Sequence, residues 1–594
     1  MTTALPASTP AGPGAGPATP APAPTGAAGP APRAATGPAP RAATGPAGRA
    51  PIGAARLWLL VGGAAACLGY LGIELWQLGG GLGWPLDDSW IHLQFARNLA
   101  AGRGLSYNAG ELVTGSTAPL WTALLALLAY LPGSPLAWAQ LAGALLYLAG
   151  VDATWRLARE LDLSPGLAAL AGGLTLGTGW LVWSALSGME IPLFVLLSTW
   201  GMARHLRERA APAALPLAPA VLALAALARP EGLLLLALAF VDSCLLFGRD
   251  GGGAAAQKAP ASAPPPARAT LRWRRPPFAQ LARGGLLAAC VLAGPLLFYR
   301  IAGGSFLPTT FAAKGGGMRH WLPDLQYVYG VMGILLRPQP AMTLLCCGGV
   351  AALVARLGSR RDRGLLPALW LVALPLVYST LSPPGKILAG NFGRYYFPLF
   401  PVVVVLGAVA LEGAAGVLGP GVQAGKVRLP AGLVLMALLL WPTASSFLQC
   451  AGLYARNLDD VESSDVRAAR WLAPRLPAGA VLAVNDIGAF KYLLPNRIVD
   501  LAGIANPELR LEVERQVARG VPWERAMAAA VAARRPDYVA IFPAWLPHLA
   551  AQLGLDPVLR LRVAGNKTMG SDELVVYSTP WTRYPLRRLP GDPG

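Results

Sequence analysis

Charged residues are scarce in this sequence. Asp, Glu, Lys and Arg make up 13% of its 594 residues, whereas a soluble domain carries about a quarter. That shortage excludes an ordinary soluble protein for most of the chain. Polar residues interleaved at helical period are also missing from stretches such as 57–73, 284–301 and 429–447, where a soluble surface helix would show them. The six cysteines have no metal-ligand spacing. Cys67, Cys244, Cys290, Cys346 and Cys347 sit inside apolar runs and Cys450 just beyond one, so they read as small core residues. No Gly-x-Gly-x-x-Gly and no phosphate loop occurs, which removes the common nucleotide-binding signatures. No small-residue cleavage site is evident before the first apolar helix, so the N-terminus does not read as a signal peptide.

What is present is a series of apolar runs of about 15–22 residues, the length a helix needs to cross about 30 Å of hydrocarbon. They predict a polytopic α-helical membrane protein with about 11 transmembrane helices: residues 57–78, 136–155, 164–182, 190–203, 214–228, 232–248, 284–301, 340–355, 364–380, 395–411 and 429–447. Residues 117–131 are apolar but short and read as a helix at the outer interface. With loops assigned alternately to the two sides, 22 Lys/Arg fall inside and 9 outside. This positive-inside bias sets the orientation: N-terminus and basic loop 249–283 cytoplasmic, outer loop 79–117 and everything after residue 449 on the opposite face. The formal charge of +19 therefore reflects membrane orientation. No basic-aromatic motif points to nucleic acid.

Three regions follow. Residues 1–55 are an Ala/Pro/Gly-rich tail in which Ala-Pro-Arg-Ala-Ala-Thr-Gly-Pro occurs twice in tandem, at 31–38 and 39–46; it has too little to bury and reads as disordered. Residues 56–449 are the membrane domain. Residues 450–594 alternate an amphipathic helix (461–476), strands at 480–485 and 497–501, a helix at 508–534, a strand at 538–542 and a closing strand at 573–578, which predicts a small α/β domain.

The most informative stretch is Asp87-Asp88-Ser89-Trp90-Ile91-His92, where two carboxylates stand at the point where the first helix leaves the membrane, followed by a helix with Ile91, Phe95 and Leu99 on one side. Such a face suits the bilayer surface. Either aspartate serves as a helix N-cap; either is also placed to take a proton from an acceptor hydroxyl. Glu190, Arg229 and Glu231 flank apolar runs on the outer side, where ionisable residues are functional candidates and where a structural Glu190–Arg229 ion pair is an equal reading. Beyond the membrane region, Asp486 and Asp500 precede glycines at the ends of two strands. Strand-end turns use Asp and Gly for backbone reasons, and open α/β sheets bind ligands at the same edge. Contact with an acceptor, or a lid over the membrane site, is the expected role.

The Asp87-Asp88 pair, the run Phe95-Ala96-Arg97-Asn98-Leu99-Ala100 with Gly102, Gly104, Tyr107, Asn108, Gly110 and Glu111 behind it, and Pro119-Leu120-Trp121 resemble the first outer loop of GT-C fold glycosyltransferases. The resemblance is strongest to the cell-wall arabinofuranosyltransferase-like bacterial membrane proteins. Ser187-Gly188-Met189-Glu190, Arg229-Pro230-Glu231-Gly232 and Leu307-Pro308-Thr309-Thr310 extend it over roughly residues 57–410. The family typically has Gly-Tyr where this chain has Gly115-Ser116, so the sugar is not assigned. The resemblance implies a multi-pass enzyme of the bacterial cytoplasmic membrane. It would move a sugar from a polyprenyl-phosphate donor to a hydroxyl of a glycan, lipid or protein acceptor on the extracytoplasmic face. It also implies that one loop aspartate, Asp87 or Asp88 with Asp87 preferred, is the catalytic base.

Outer-face cations suited to the donor phosphate are Lys314, Arg319 and His320 in one loop and Lys386 and Arg394 in another. Arg394 and Tyr395 also suit plain interfacial anchoring. His92 and Arg97, on the helix after the aspartates, and Glu190, Arg229, Glu231 and Tyr395 are supporting candidates. No metal site is readable; the acidic pair lacks a clear third ligand, so the residues neither require nor exclude a divalent cation. The rival class is a transporter or flippase of lipid-linked envelope precursors, which calls for broken helices in two matching halves and a mid-membrane ionisable site. No such repeat is visible. The topology is open to direct measurement: an impermeant thiol reagent applied from outside should label a cysteine placed at position 520 and miss one placed at 260.

Overall fold

The computed structural model describes residues 52–211, 215–245, 247–249, 271–273, 277–306, 308, 320–357, 359, 362–381, 390–417 and 428–589. The tail over residues 1–50, most of the inner loop and three of the candidate cations (Lys314, Arg319 and Lys386) lie outside the described residues.

Helices cover each apolar run. In chain order they are α1 (Ile52–Gln77), α2 (Asp88–Ala100), α3 (Pro119–Leu128), α4 (Pro135–Glu160), α5 (Pro165–Leu176), α6 (Gly179–Ala185), α7 (Ile191–Ala210), α8 (Ala218–Ala228), α9 (Gly232–Cys244), α10 (Phe278–Gly303), α11 (Leu325–Leu336), α12 (Pro340–Ala355), α13 (Leu366–Leu381), α14 (Phe400–Val417) and α15 (Arg428–Val461). A 3₁₀ segment, Gly390–Leu399, leads into α14. The starts follow local chemistry. Ser134 and Ser164 accept hydrogen bonds from the Ala137 and Leu167 N–H groups, with Pro135 and Pro165 in the first turn, as serine caps and first-turn prolines do.

Five helices among the described residues are long and apolar enough to cross a membrane: Gly53–Gln77, Pro135–Glu160, Phe278–Gly303, Phe392–Ala414 and Met436–Leu472. Two bent pairs, α5 with α6 (60°) and α11 with α12 (120°), raise the number to seven. The runs expected to span at 214–228 and 232–248 form helices of only 11 and 13 residues. At 1.5 Å per residue these rise about 16–20 Å, short of a full bilayer core. An apolar run does not show where its helix breaks. Here the breaks fall at Gly177-Thr178 and at the Arg-Pro-Glu-Gly turn. α3, with 10 residues, is too short to span, in keeping with its reading as a non-crossing helix. α11 was not expected.

The last long helix does not stop at residue 449. α15 runs on to Val461, passes through a π-helical turn (Glu462–Val466) and continues as α16 (Arg467–Leu472). Beyond it lie strands β1 (Val481–Val484), β2 (Arg497–Asp500), β3 (Tyr538–Ile541), β4 (Asp556–Arg562) and β5 (Glu573–Ser578) and helices α17 (Gly488–Leu493), α18 (Pro507–Ala518) and α19 (Trp523–Arg534). The sheet order is β2-β1-β3-β5-β4; β2, β1 and β3 are parallel, and β5 is antiparallel to both its neighbours. The single helix expected at 508–534 is two helices, separated where Gly520 takes a left-handed φ of 87° ahead of Pro522. β4 was not expected: its residues are mostly exposed, and two of the seven are arginines.

β1 is followed by β2 on one side and then by β3 on the other. The carboxyl ends of β1 and β3 therefore form a topological switch point, the usual crevice of an open α/β sheet. The outer loop meets this edge. The Asn108 side chain accepts from the Ile498 N–H at 3.0 Å and donates to the Ile498 carbonyl at 2.9 Å. One amide side chain thus stands in for the missing neighbour of edge strand β2. The Tyr107 hydroxyl donates to the Ile487 carbonyl at 2.6 Å. Arg97 donates to the Tyr492 carbonyl at 2.9 Å and lies 4.6 Å from the Tyr492 ring. Trp90 packs on the same ring, 5.2 Å between centroids. As a result Ile91 and Phe95 are buried in protein; they do not rest on the bilayer surface as their periodicity led us to expect.

Replacing Asn108 with Ala would leave two buried backbone groups unpaired, a loss of about 1–3 kcal/mol. Removing the exposed Arg497–Glu111 pair (2.8 Å) should change stability by less than about 1 kcal/mol. Thermal unfolding and protease susceptibility of the two variants should separate in that order.

Candidate functional site

The two aspartates do different things. Asp87 starts α2 but makes no side-chain cap to it. Its carboxylate instead accepts the Gly488 and Ala489 N–H groups, both at 2.7 Å, at the start of α17. A Cβ at Gly488 would stand 2.1 Å from the Asp87 carbonyl oxygen, so only glycine permits this approach. Asp88 turns the other way and pairs with Arg394, its side chain 28% exposed and that of Arg394 2%. The Nε and Nη1 atoms of Arg394 are buried with no hydrogen-bond partner among the described residues.

Behind Arg394 lies a second buried ionic group. Arg229 pairs with Glu190 through Nη1 and with Glu231 through Nη2 at 2.7 Å and Nε at 3.2 Å. The Tyr378 hydroxyl, from α13, also donates to Glu231. The Tyr395 ring lies near both guanidiniums, 4.8 Å from Arg229 and 5.8 Å from Arg394, within cation–π range of each. His92, one helical turn after Asp88, places Nε2 3.1 Å from Glu190 Oε2. Removing a partner from such a group strands a buried charge, which is strongly destabilising.

Local backbone chemistry explains why these residues converge. The Arg-Pro-Glu-Gly turn is tight: a Cβ at Gly232 would stand 2.3 Å from the Ala226 nitrogen. Arg229 and Glu231 therefore project from one bend to the same place. Ser187-Gly188 ties three elements together. The Ser89 hydroxyl donates to the Ser187 carbonyl at 2.5 Å and the Trp121 indole to the Gly188 carbonyl at 3.0 Å. Gly188 has φ of 73° and lies against Trp84, which leaves no room for a side chain. Glu190 then sits directly before α7.

Of the residues singled out in the sequence, Asp88, His92, Glu190, Arg229, Glu231, Arg394 and Tyr395 come together. Asp87 and Arg97 serve the contact with the C-terminal domain. His320 makes a local hydrogen bond to the Leu322 carbonyl at 2.7 Å. Among the described residues no group of three or more His, Cys, Asp or Glu is arranged to hold a metal ion. Tyr378 was missed, and so was Asp465, a fully buried residue of the π-helical turn with both carboxylate oxygens unpartnered among the described residues. A single tyrosine or aspartate beside an apolar run carries no signal in sequence. A partnerless buried carboxylate is visible only once the fold is known.

The docking contact is acid-favoured. Burial pushes the Asp87 carboxyl up to about 7, helped by Asp88 and opposed by the two N–H groups. Asp486 is raised by burial and then by Asp87. Burial raises Asp500 to about 6 against its own backbone hydrogen bonds. Each folded value lies above the unfolded value of about 3.9, so the folded state holds these protons more tightly. Their contribution to stability is full below about pH 4 and is lost as the pH rises through 6 to 7. Amide exchange over residues 488–493, corrected for intrinsic rates, should therefore show weaker protection at pH 7.5 than at pH 5. Equal or reversed protection would contradict this assignment.

Comparison with known proteins adds the fold. A family model described as a domain of unknown function (DUF8728) matches residues 456–577. No curated protein matches the sequence. Among solved structures, the chain is similar to ArnT from Cupriavidus metallidurans in the apo state, with TM-score 0.52 and 17% identity over 88% of this chain and 98% of that one. It is also similar to the same protein bound to undecaprenyl phosphate, with TM-score 0.53 and 16% identity over 88% and 97%. The apo oligosaccharyltransferase of Archaeoglobus fulgidus is similar at TM-score 0.50 and 12% identity over 88% and 76%. At these identities the likeness is one of fold alone, the polytopic GT-C fold that these neighbours have.

Proposed function

We propose that this protein is an integral-membrane glycosyltransferase that moves a sugar from a polyprenyl-phosphate donor to an acceptor hydroxyl, with inversion, on the membrane face that carries the C-terminal domain. The observation that carries the reading is the Asp88–Arg394 pair. A half-buried carboxylate is held beside a buried guanidinium that keeps two N–H groups unpartnered among the described residues. A lipid phosphate is a good leaving group, so the protein has mainly to deprotonate and align the acceptor and to hold the phosphate charge. Asp88 takes the acceptor proton. Arg394 offers Nε and Nη1 to phosphate oxygens, a charge-assisted contact. Asp87 is the weaker candidate for the base because both its oxygens are occupied by backbone N–H groups. The GT-C fold and the undecaprenyl phosphate bound in the similar ArnT structure support a lipid-phosphate donor. We place the enzyme in the bacterial cytoplasmic membrane, in the cell-wall arabinofuranosyltransferase-like group its loop motif resembles. The C-terminal domain covers the outer loop and offers its sheet edge to the acceptor.

The test is Asp88→Asn, which keeps shape and removes the base. With the donor identified by mass spectrometry of envelope glycans from a deletion strain, single-turnover transfer should fall by about 10²–10⁴ in a variant that stays monodisperse. Asp87→Asn should instead loosen the C-terminal domain, because its amide N–H₂ would face a backbone N–H. Near wild-type turnover by Asp88→Asn would remove the central residue of this reading.

A further inference from the structure

His92 is 6% exposed, and its two ring nitrogens differ. Nε2 stands 3.1 Å from Glu190 Oε2, while Nδ1 is buried with no hydrogen-bond partner among the described residues. A buried polar atom of this kind calls for an explanation. Glu190 is held by Arg229; its Oε2 has no hydrogen-bond partner among the described residues, and Nε2 is the ring nitrogen that faces it. That leaves Nδ1 as the open position, as in any imidazole oriented by a carboxylate. Asp88 and His92 are four residues apart on α2, a spacing that puts both side chains on one face. Asp88 pairs with Arg394, and Glu190 experiences the charges of both His92 and Arg394. Nδ1 of His92 and Nε and Nη1 of Arg394, all without a partner among the described residues, thus lie on two residues that both act on Glu190.

We propose that His92 binds the donor phosphate, with Nδ1–H donating to a phosphate oxygen while Nε2–H stays on Glu190. The inference rests on the glycosyltransferase reading above and deepens it. In an imidazolium both ring nitrogens donate. In the transfer step the acceptor oxygen forms a bond to the anomeric carbon and gives its proton to Asp88. The bond from that carbon to the phosphate oxygen breaks, and its electron pair goes to that oxygen. The phosphate passes from one negative charge to two, and the Nδ1–H bond strengthens as it does. His92 keeps its proton throughout. Its removal should thus reduce both affinity for the lipid phosphate and the rate of transfer.

Two near-isosteric variants separate this role from simple support of Glu190. His92→Gln places an amide where Nε2 was and offers nothing at Nδ1; His92→Asn does the reverse. The probe is undecaprenyl phosphate, titrated against the full chain in nanodiscs, with undecaprenol as the control. His92→Gln should bind undecaprenyl phosphate about 10- to 100-fold more weakly with undecaprenol unaffected, and His92→Asn should lose less. If Gln binds like the wild type and Asn is the impaired variant, His92 only props Glu190 and the proposal fails. Arg394→Gln and Asp88→Asn are run alongside. If Arg394→Gln keeps wild-type affinity and Asp88→Asn keeps wild-type transfer, the glycosyltransferase reading itself fails. If those two lose function and His92→Gln does not, only the present inference is overturned.

Discussion

The contact between the Asp87 carboxylate and the first two N–H groups of α17 is the constraint on which the rest of this face of the molecule depends. It joins the loop after the first helix to the switch-point edge of a separate sheet. Once it forms, α2 is enclosed between the membrane helices and the C-terminal domain, and nearly every side chain from Ser89 to Asn98 is buried. The adjacent Asp88 is then directed toward Arg394 by the turn of the helix. One aspartate joins the C-terminal domain and the next pairs with Arg394, because neighbouring residues at a helix start point in different directions.

Enclosure changes the electrostatics. Arg229, Glu190, Glu231, Tyr378, Arg394 and Tyr395 form a buried ionic group drawn from four parts of the chain. Buried ion pairs contribute little net stability, since desolvation offsets the attraction. Their value here is geometric: each charge holds another in place, and the guanidinium of Arg394 has two donors without a partner among the described residues. A low-dielectric, fixed set of donors is what a reaction that develops phosphate charge needs, because no solvent has to reorganise as the charge grows.

The C-terminal domain is more than an appendage. Its first helix is continuous with the last membrane helix through a π-helical turn, a feature often found at functional sites. Its Asn485, buried with both amide atoms unpartnered among the described residues, follows β1 at the same edge that meets Asp87. The sheet has an open α/β topology, and the turn after β1 at its carboxyl edge meets Asp87.

The sequence by itself determined the polytopic helical class, the small C-terminal sheet domain and most of the residues that meet beside Asp88. Apolar length, charge asymmetry and the Asp-Asp loop depend only on composition and order along the chain, and hydrophobic burial obeys them in any arrangement. It did not determine where helices break, since an apolar run such as residues 214–248 looks the same whether it crosses twice or bends at Arg229-Pro230. Nor did it separate Asp87 from Asp88, or show that Asn108 stands in for a strand, that Tyr378 reaches Glu231, or that Arg97 belongs to a domain contact. Those assignments were decided by the tertiary structure alone, because each depends on a partner 147 to 402 positions away in the chain, and a hydrogen bond is specified by the position and direction of both its atoms.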